Sequence, residues 1–355
     1  MQENRLNIAV IGAGNIANLI HMPYLLKMPA ARVSTIVDTD LARVEHVGGK
    51  YHITSRLRHY QDALRDKDIQ VVDVCTPPFT HAELIKAAAE AGKDVIVEKP
   101  LSMTLEEAIG VKETLQATDA KLGIVLNHRY MPLVRKVLGL VQEGALGKLQ
   151  HILVISHTFP PKVQWTEHPL ITRYGVLYDF LPHMLDLVTF ISQGTPRKVV
   201  CRPSSDSSPT AYTLMLELQL LDEIRCLATI DASWSPSTSR RQVCFFGTER
   251  DLVVDIQDQF AYFTHGYLTP QAQMLILAQR MRGILGRVAK GTKSLRYGPL
   301  IYHRDLLRGF LEALRQGETP PVSIMDGLTH MAIIDAAIKS EQIGKEVDIE
   351  CPELL

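Results

Sequence analysis

The sequence lacks any excess of charge of one sign. Its 38 lysine and arginine residues nearly balance its 39 aspartate and glutamate residues, which gives a formal net charge of −1. That balance provides no general reason to bind nucleic acid or an anionic membrane surface. Apolar runs approaching the roughly 18 residues of a membrane-spanning helix are also missing. Since the first residues are polar and lead directly into a strand, we expect no secretory signal and a soluble, cytoplasmic protein.

Regularly spaced cysteines are absent as well. The chain has five cysteines, an odd and scattered set without a C-x-x-C pair. Disulfide frameworks and structural zinc sites use paired cysteines. Three histidines close to one another in the chain, His151, His157 and His168, have no tight ligand spacing either. We therefore predict a reducing compartment and no bound metal.

The first third of the chain alternates short apolar runs with segments of helical periodicity, the pattern of β-α-β units and a parallel sheet. One helical segment, Thr80–Gly92, ends on a glycine, and another begins at Thr104 with Glu107 in capping-box spacing. We assign residues 1–128 to an α/β dinucleotide-binding Rossmann domain. The candidate strands are Asn7–Ile11, Val33–Val37, Val71–Cys75, Val95–Val97 and Leu122–Leu126.

After about residue 128, longer strand-like runs follow one another, separated by turns rich in serine and proline. This pattern predicts an α+β domain with a mostly antiparallel, open sheet, covering residues 129–355 and serving substrate binding and oligomerisation. Two late helices are expected at about His303–Arg315 and Met325–Ile343. The candidate strands are Leu149–Thr158, Lys198–Arg202, Thr213–Leu220, Ile224–Asp231, Arg241–Phe246 and Asp251–Val254.

A glycine-rich turn follows the first strand, in the stretch "NIAVIGAGNIA". Gly12 permits a tight turn, Gly14 lets the backbone approach a pyrophosphate, and Ala17 keeps strand and helix close. The helix that opens at Asn15 and Ile16 presents N–H groups and the positive end of its dipole to phosphates. The turn therefore predicts a dinucleotide site.

A carboxylate ends the second strand at the spacing that such a site requires. Asp38 lies some twenty residues beyond the glycines, where it would bind ribose hydroxyls. Because Asp38 would repel a 2′-phosphate, we expect NAD as the cofactor. With Arg43 nearby, NADP is the alternative cofactor. The alternative is an ordinary glycine turn with Asp38 as a helix N-cap.

The stretch "VIVEKPLSM" places ionisable groups directly after a buried strand. Glu98 and Lys99 follow Val95–Val97, and Pro100 restricts the backbone that comes next. A parallel strand delivers Lys99 to the carboxyl edge of the sheet, where open α/β folds bind ligands. The alternative is a surface ion pair between Glu98 and Lys99 at an ordinary turn.

Taken together, these motifs resemble the Gfo/Idh/MocA oxidoreductases, which include glucose-fructose oxidoreductase and inositol dehydrogenases. The chain has the family's E-K-P, and "YDFLPHMLDLV" matches its D-x-x-x-H element with Asp179, His183 and a second aspartate, Asp186. It departs from the family at Pro182, where a glycine usually precedes the histidine. Since proline suits the first helical turn, we expect a helix to begin near Leu181, with Asp179 just outside it.

The resemblance implies roles for these side chains. Lys99 would lie near the nicotinamide and the reacting hydroxyl, His183 would be the general acid/base, and Asp179 would orient the polar cluster. Contacts with the cofactor are implied for Gly12, Gly14, Asn15, Ile16, Asp38, Thr76, Pro77, His81, Glu98, Lys99 and Asn127. Contacts with the substrate are implied for Lys99, Arg129, Trp165, Asp179 and His183, although Trp165 could equally pack in a core.

The predicted function is therefore NAD(H)-dependent interconversion of a hydroxyl and a ketone on a sugar, nucleotide sugar or cyclitol. The resemblance also implies a homodimer or homotetramer formed through the open sheet. Three alternatives remain: a redox-neutral NAD-dependent glycosidase, a reductase of non-sugar substrates such as bilins or dihydrodiols, and a non-catalytic nucleotide-sensing regulator.

One segment is not explained by the resemblance. From Arg280 to Arg296 the chain has six basic residues and no acidic one, with apolar residues at helical spacing. Such a helix can lie on a membrane, bind a partner or hold an anionic substrate. A helix packed on its own protein with a solvated basic face is the simpler interpretation.

Overall fold

The computed structural model describes residues 5–160, 168–205, 209–235, 239–264 and 302–350, with isolated positions 274, 277, 278 and 281. The chain divides into two compact units. The first is formed by Met1–Asn127 with Tyr302–Met331, and the second by His128–Ile301 with Ala332–Leu355. In the part of the chain that the structure describes, no helix has the length and apolar character of a membrane span.

The first unit contains a six-stranded parallel sheet in the order β3-β2-β1-β4-β5-β6. This is the strand order of a Rossmann fold, so the predicted fold class is confirmed. The sequence missed β3, which is short and only partly buried. The strands are β1 Leu6–Ile11, β2 Ala31–Val37, β3 Ser55–Leu57, β4 Val71–Val74, β5 Asp94–Glu98 and β6 Leu122–Val125.

Helices connect these strands and complete the unit. A π-helical turn, Ala17–His21, precedes α1. The predicted capping box is present at α5, where the Glu107 N–H donates to Thr104 Oγ1 at 3.1 Å and the Thr104 N–H donates to Glu107 Oε2 at 3.3 Å. The helices are α1 Met22–Leu25, α2 Leu41–Lys50, α3 Tyr60–Arg65, α4 His81–Glu90, α5 Leu105–Thr118, α9 His303–Arg315 and the first part of α10 Ile324–Ile343.

The return of Tyr302–Met331 to the first unit differs from the sequence-based assignment, which gave all of residues 129–355 to the second domain. Helix α9 packs against β6, where the Phe310 ring covers Gly123. A Cβ atom at Gly123 would lie 2.6 Å from that ring, so the missing side chain leaves room for the phenylalanine. Local periodicity predicts α9 correctly but carries no information about which sheet the helix covers.

The second unit contains an eight-stranded sheet in the order β13-β12-β11-β7-β10-β9-β8-β14. Among the strands that the structure describes, only β7 and β10 pair in parallel, so the predicted mostly antiparallel sheet is confirmed. The sequence missed the two edge strands, β13 and β14. The strands are β7 Leu149–Thr158, β8 Thr195–Pro203, β9 Ala211–Gln219, β10 Arg225–Trp234, β11 Arg240–Gly247, β12 Asp251–Asp255, β13 Phe260–Thr264 and β14 Val347–Asp348.

Side chains on the central strands of this sheet alternate between two faces. One face is buried under α7 Pro169–Asp179 and α8 Leu181–Ser192, which pack against β7, β9 and β10. The other face exposes apolar side chains such as Met215 and Leu227. Helix α6 Pro132–Gln142 packs against α8, and the second part of α10 completes the unit.

Candidate active site

The glycine-rich turn after β1 has the backbone that a dinucleotide cradle needs. Gly12 has φ +99°, and a Cβ atom there would lie 2.7 Å from the Cys75 carbonyl oxygen. No atom lies within 4 Å of the Cβ position of Gly14, so the backbone there is open to a ligand. The Gly14 carbonyl accepts from the Asn18 N–H at 2.9 Å, so the helix begins directly after the turn, with Asn15 exposed and Ile16 half-buried.

Asp38 joins the end of β2 to this turn. Its Oδ2 accepts from the Ala13 N–H at 2.8 Å, and its Oδ1 accepts from the Asp40 N–H at 2.9 Å. The N-cap of α2 is Asp40, so the alternative capping role for Asp38 is wrong. Arg43 forms an ion pair with Asp40. Asp38 therefore lies beside the glycine turn, in a position that suits a ribose ligand.

The acid and the base at the end of β5 have different environments. Glu98 is buried, whereas Lys99 is half-exposed, and the peptide bond from Lys99 to Pro100 is cis. The Glu98 carboxylate is therefore not at the surface, and its Oε2 also accepts from the Lys99 N–H at 3.3 Å.

The partner of Glu98 is His21, from the π-helical turn. His21 Nε2 lies 3.0 Å from Glu98 Oε1, and its Nδ1 lies 2.9 Å from Asp73 Oδ2. Burial alone would lower the pKa of His21, but the Asp73 carboxylate raises it well above the ordinary value. An imidazolium that donates from both nitrogens therefore joins two carboxylates in the core of the first unit.

His303, the first residue of α9, approaches the same carboxylate. Its Nε2 lies 3.7 Å from Glu98 Oε1, and the Asn127 amide N–H donates to its Nδ1 at 3.3 Å. Burial alone would raise the pKa of Glu98, but hydrogen bonds from His21 and His303 lower it well below its usual range.

Sequence reasoning missed His21, Asp73 and His303. The available signal was Asp73 in "VVDV", because a carboxylate in a buried strand requires a partner. The π-helical turn at Ala17–His21 had no sequence signal that we used, although such turns are frequent at functional sites.

Two sets of side chains in the first unit have donor atoms close enough to hold a metal ion. One consists of His21, Glu98 and His303, and the other of His21, Asp73 and Cys75. Metal ligation requires deprotonated ligands. The raised pKa of His21 opposes the loss of its proton, and burial raises the pKa of the Cys75 thiol to about 12. The expectation that no metal is bound stays a prediction.

His81, at the start of α4, contacts both the segment that follows β4 and the E-K-P segment Glu98–Pro100. Its Nδ1 lies 2.7 Å from the Pro100 carbonyl oxygen and its Nε2 lies 2.9 Å from the Thr76 carbonyl oxygen. Burial lowers the pKa of His81, although both carbonyl oxygens favour the protonated ring. Thr80 Oγ1 donates to the Pro77 carbonyl at 2.8 Å. These bonds hold Thr76 and Pro77 beside the start of α4.

Asp179 and His183 belong to the second unit. Helix α7 ends at Asp179 and α8 begins at Leu181 with Pro182 in its first turn, which confirms the predicted helix start. The Trp234 indole N–H donates to Asp179 Oδ2 at 3.1 Å, and the same indole fills the space beside Gly175, where a Cβ atom would overlap it. A side chain of β10 in the second sheet thereby holds Asp179 in place.

His183 lies in a cluster of rings. Its ring centroid is 4.4 Å from that of His128 in an edge-on arrangement and 5.3 Å from that of Phe180. Arg129 is buried against Asp186, with Nη2 2.6 Å from Oδ1, and its guanidinium covers Phe190. A substrate contact from Arg129 stays a prediction. Trp165 and nearly all of the basic segment 280–296 lie outside the described residues.

Two family models cover most of the chain. Residues 6–125 match the oxidoreductase family model with an NAD-binding Rossmann fold, and residues 134–253 match the GFO/IDH/MocA C-terminal domain. The chain therefore belongs to the Gfo/Idh/MocA oxidoreductase family. The predictions of an oxidoreductase and of an NAD-binding Rossmann domain are confirmed.

Similar proteins cover nearly the whole chain. The uncharacterized oxidoreductase YrbE of Bacillus subtilis (strain 168) is 26% identical over 353 residues, 97% of this chain and 96% of that protein. Inositol 2-dehydrogenase of Rhizobium meliloti (strain 1021) is 22% identical over 355 residues, 97% and 99% of the two chains. The structure of levoglucosan dehydrogenase in complex with NADH has a TM-score of 0.78 at 19% identity, with 97% and 99% coverage.

Proposed function

We propose that this oxidoreductase interconverts a hydroxyl and a ketone on a sugar, nucleotide sugar or cyclitol by hydride transfer, with NAD as cofactor. The observation that carries the proposal is the difference between Glu98 and Lys99. Glu98 is buried, and its Oε1 lies 3.0 Å from His21 Nε2. Lys99 is half-exposed at the carboxyl end of β5, the edge of the sheet at which open α/β folds bind ligands.

The first unit has residues that fit the cofactor. The open backbone at Gly14, the tight turn at Gly12 and the carboxylate of Asp38 suit the pyrophosphate and a ribose. When bound, the nicotinamide supplies the acceptor or donor of the hydride. The Asp38 carboxylate favours NAD, because it would repel the 2′-phosphate of NADP.

Three side chains of this chain would handle the proton and the charge. The Lys99 ammonium would donate to the reacting oxygen and stabilise its alkoxide-like charge. His183 would take the hydroxyl proton or return it, since a histidine's ordinary pKa of about 6.5 suits proton transfer near neutral pH. Asp179, held by the Trp234 indole, would orient this polar group of side chains.

The names of the relatives support the substrate class. Inositol 2-dehydrogenase and levoglucosan dehydrogenase carry the names of a cyclitol and a sugar, and each matches almost the full chain. A hydroxyl on a sugar-like ring is therefore the substrate that we propose for this chain, with a cytoplasmic location as expected from the sequence.

The test is the appearance of NADH absorbance when the purified protein is incubated with NAD and a panel of cyclitols, sugars and nucleotide sugars. Lys99→Met should lose at least about 10²-fold in turnover while retaining NAD binding, because the lysine acts on the substrate oxygen. Lys67→Met, at an exposed lysine of the same unit, is the matched control and should behave as wild type.

Full turnover by Lys99→Met would overturn the mechanism. Sugar release without NADH would favour the redox-neutral glycosidase, activity on bilins or dihydrodiols alone would favour the non-sugar reductase, and NAD binding without any turnover would favour the sensor.

We further propose that the open face of the second sheet forms a homodimer or homotetramer interface. Met215 and Leu227 lie on this face with exposed fractions of 53% and 47%. Neighbouring apolar side chains exposed on one sheet face mark an interaction surface. Met215→Glu combined with Leu227→Glu should lower the molar mass measured by light scattering to that of the monomer, and an unchanged mass would contradict this surface.

A further inference from the structure

The helix-covered face of the second sheet holds a cation that none of the roles above uses. Arg241 lies on β11 directly opposite Ser156 of β7, and it shares a face with Val243 and Phe245, which are both buried. Its neighbour Arg240 points to the other face, where it is exposed and donates to Gln242. An arginine therefore stands where the pattern of the strand calls for an apolar residue.

The guanidinium of Arg241 lacks a counterion at contact distance among the described residues. Its Nε is buried without a hydrogen-bond partner there, and its guanidinium carbon lies 5.2 Å from the centroid of the Phe180 ring. Burial lowers the pKa of Arg241, and Asp255 acts in the opposite direction. The Asp255 carboxylate, however, accepts from the Gln242 amide and from the Asp258 N–H.

Two hydroxyl groups beside Arg241 also lack partners. Ser156 Oγ and Thr158 Oγ1, both on β7, are buried without a hydrogen bond to any part of the chain that the structure describes. Ser156 is opposite Arg241, and Thr158 is two residues further along the same face. Buried polar atoms are nearly always hydrogen-bonded in native proteins, so these three neighbouring groups form a polar cluster suited to a ligand with hydrogen-bonding oxygens.

This group of side chains is connected to the proposed catalytic residues within the second unit. The Phe180 ring that Arg241 covers is also 5.3 Å from the His183 ring. Trp234, which pairs with Thr158 across the strands, donates to Asp179. The cation and the proposed proton-transfer histidine therefore both lie beside the Phe180 ring.

We propose that Arg241 binds a carboxylate of the substrate, with the Thr158 hydroxyl beside it, so that the substrate is an acidic sugar such as a uronate. This inference rests on the proposed function, because it names the substrate class of the same site. The guanidinium fork matches a carboxylate in two parallel hydrogen bonds. A phosphate is the rival anion, but its second negative charge would face one cation on a surface that also carries Asp179.

The assignment has a direct binding test. Neutral hexoses, the matching hexuronates and the matching hexose 6-phosphates, in gluco, galacto and manno configurations, are titrated by calorimetry into the NADH complex. Hydroxyl sugars are not turned over in that complex, so affinity is measured without chemistry. At least one uronate should bind about 10- to 100-fold more tightly than its neutral counterpart, the range expected for a hydrogen-bonded charge pair.

Arg241→Met should abolish this preference, so that the uronate binds no more tightly than the neutral sugar. Arg240→Met removes a cation from the opposite face of the same strand and should retain the full preference. If the methionine at 241 impairs folding, Thr158→Val provides a second test, because removing the hydroxyl should weaken uronate binding several-fold.

Three results would overturn the inference: equal affinity for uronates and neutral sugars in the wild type, a preference that survives Arg241→Met, or tightest binding of the 6-phosphates. Production of NADH from NAD is measured separately on the same panel. Uronate binding that depends on Arg241, without any turnover, would contradict the proposed function alone. Turnover of neutral sugars without a uronate preference would contradict this inference alone.

Discussion

His21 and Glu98, 77 residues apart in the chain, meet in the core of the first unit with Nε2 and Oε1 3.0 Å apart. The same imidazole binds Asp73, so one cation compensates two buried carboxylates. Glu98 immediately precedes Lys99, the proposed catalytic lysine. The contact therefore supports the backbone that presents Lys99, whose N–H donates to Glu98 Oε2 at 3.3 Å.

Removal of His21 should strongly destabilise the first unit. His21→Ala leaves Asp73 and Glu98 buried without their cation, and loss of one partner of a buried ion pair costs about 3–5 kcal/mol. Urea unfolding of the purified variant measures this cost. His46→Ala, at an exposed histidine of α2, should stay within about 0.5 kcal/mol of wild type. Equal stability of the two variants would show that the His21 contacts contribute little.

Stability should depend on pH through the same contact. Because the folded pKa of His21 is raised, its contribution is complete below the ordinary value of 6.5 and is lost as pH rises through the folded value. The folded pKa of Glu98 is lowered, so its contribution is complete above 4.5 and is lost as pH falls toward the folded value. Urea unfolding from pH 5 to pH 9 should show a decline at high pH that His21→Gln abolishes.

Two glycines of the cradle should respond differently to alanine. Gly12→Ala meets a positive φ and the Cys75 carbonyl, so it should cost at least about 1–2 kcal/mol of stability and impair NAD binding. Gly14→Ala meets no atom within 4 Å, so it should fold normally and weaken only NAD binding. Thermal unfolding and NAD titration of both variants separate the effect on stability from the effect on binding. Normal NAD affinity in Gly14→Ala would contradict the proposed binding of the pyrophosphate at this turn.

The packing of α9 on β6 can be tested at Gly123. A Cβ atom there would lie 2.6 Å from the Phe310 ring, so Gly123→Ala should cost about 1–3 kcal/mol of stability. Gly110→Ala, in α5 of the same unit with no atom within 4 Å, should be neutral or slightly stabilising. Denaturant unfolding compares them. A neutral Gly123→Ala would mean that α9 does not pack on β6 in this way.

Trp234 should act on turnover through Asp179. Trp234→Phe keeps an aromatic ring beside Gly175 but removes the N–H that donates to the carboxylate. Hydrogen bonds to charged groups are worth about 1.5–3 kcal/mol. We therefore expect kcat to fall about tenfold, with the melting temperature nearly unchanged. An unaltered kcat would show that the indole does not position Asp179 for the reaction.

The sequence predicts most strands of both sheets because each is an apolar run between turn residues, a signal contained in a few neighbouring positions. β7 runs over Leu149–Thr158 as expected, and α9 over His303–Arg315. The strands that it misses, such as β3 and β14, are short and poorly buried, so they have no such signal. The glycine turn and the E-K-P segment are likewise recognisable locally.

Other features depend on which elements become neighbours. His21 is 52 residues from Asp73, and its pairing exists only because the fold brings the π-helical turn after β1 close to Asp73 of β4 and Glu98 of β5. The sequence around Gly123 gives no sign that α9 places the Phe310 ring over this residue. Arg241 reads as one residue of an ordinary strand until the register puts it opposite Ser156 and under Phe180.

The linear pattern of residues was thus sufficient for the Rossmann domain, the mostly antiparallel second sheet and the resemblance to an oxidoreductase family. These features follow from periodicity and short motifs, which act over a few residues. The compensation of Glu98 by His21, the return of α9 to the first unit and the placement of Arg241 opposite Ser156 were decided by the tertiary structure. Long-range packing selects those contacts, because burial of a charge or a ring is favourable only beside a partner that the fold brings from elsewhere in the chain.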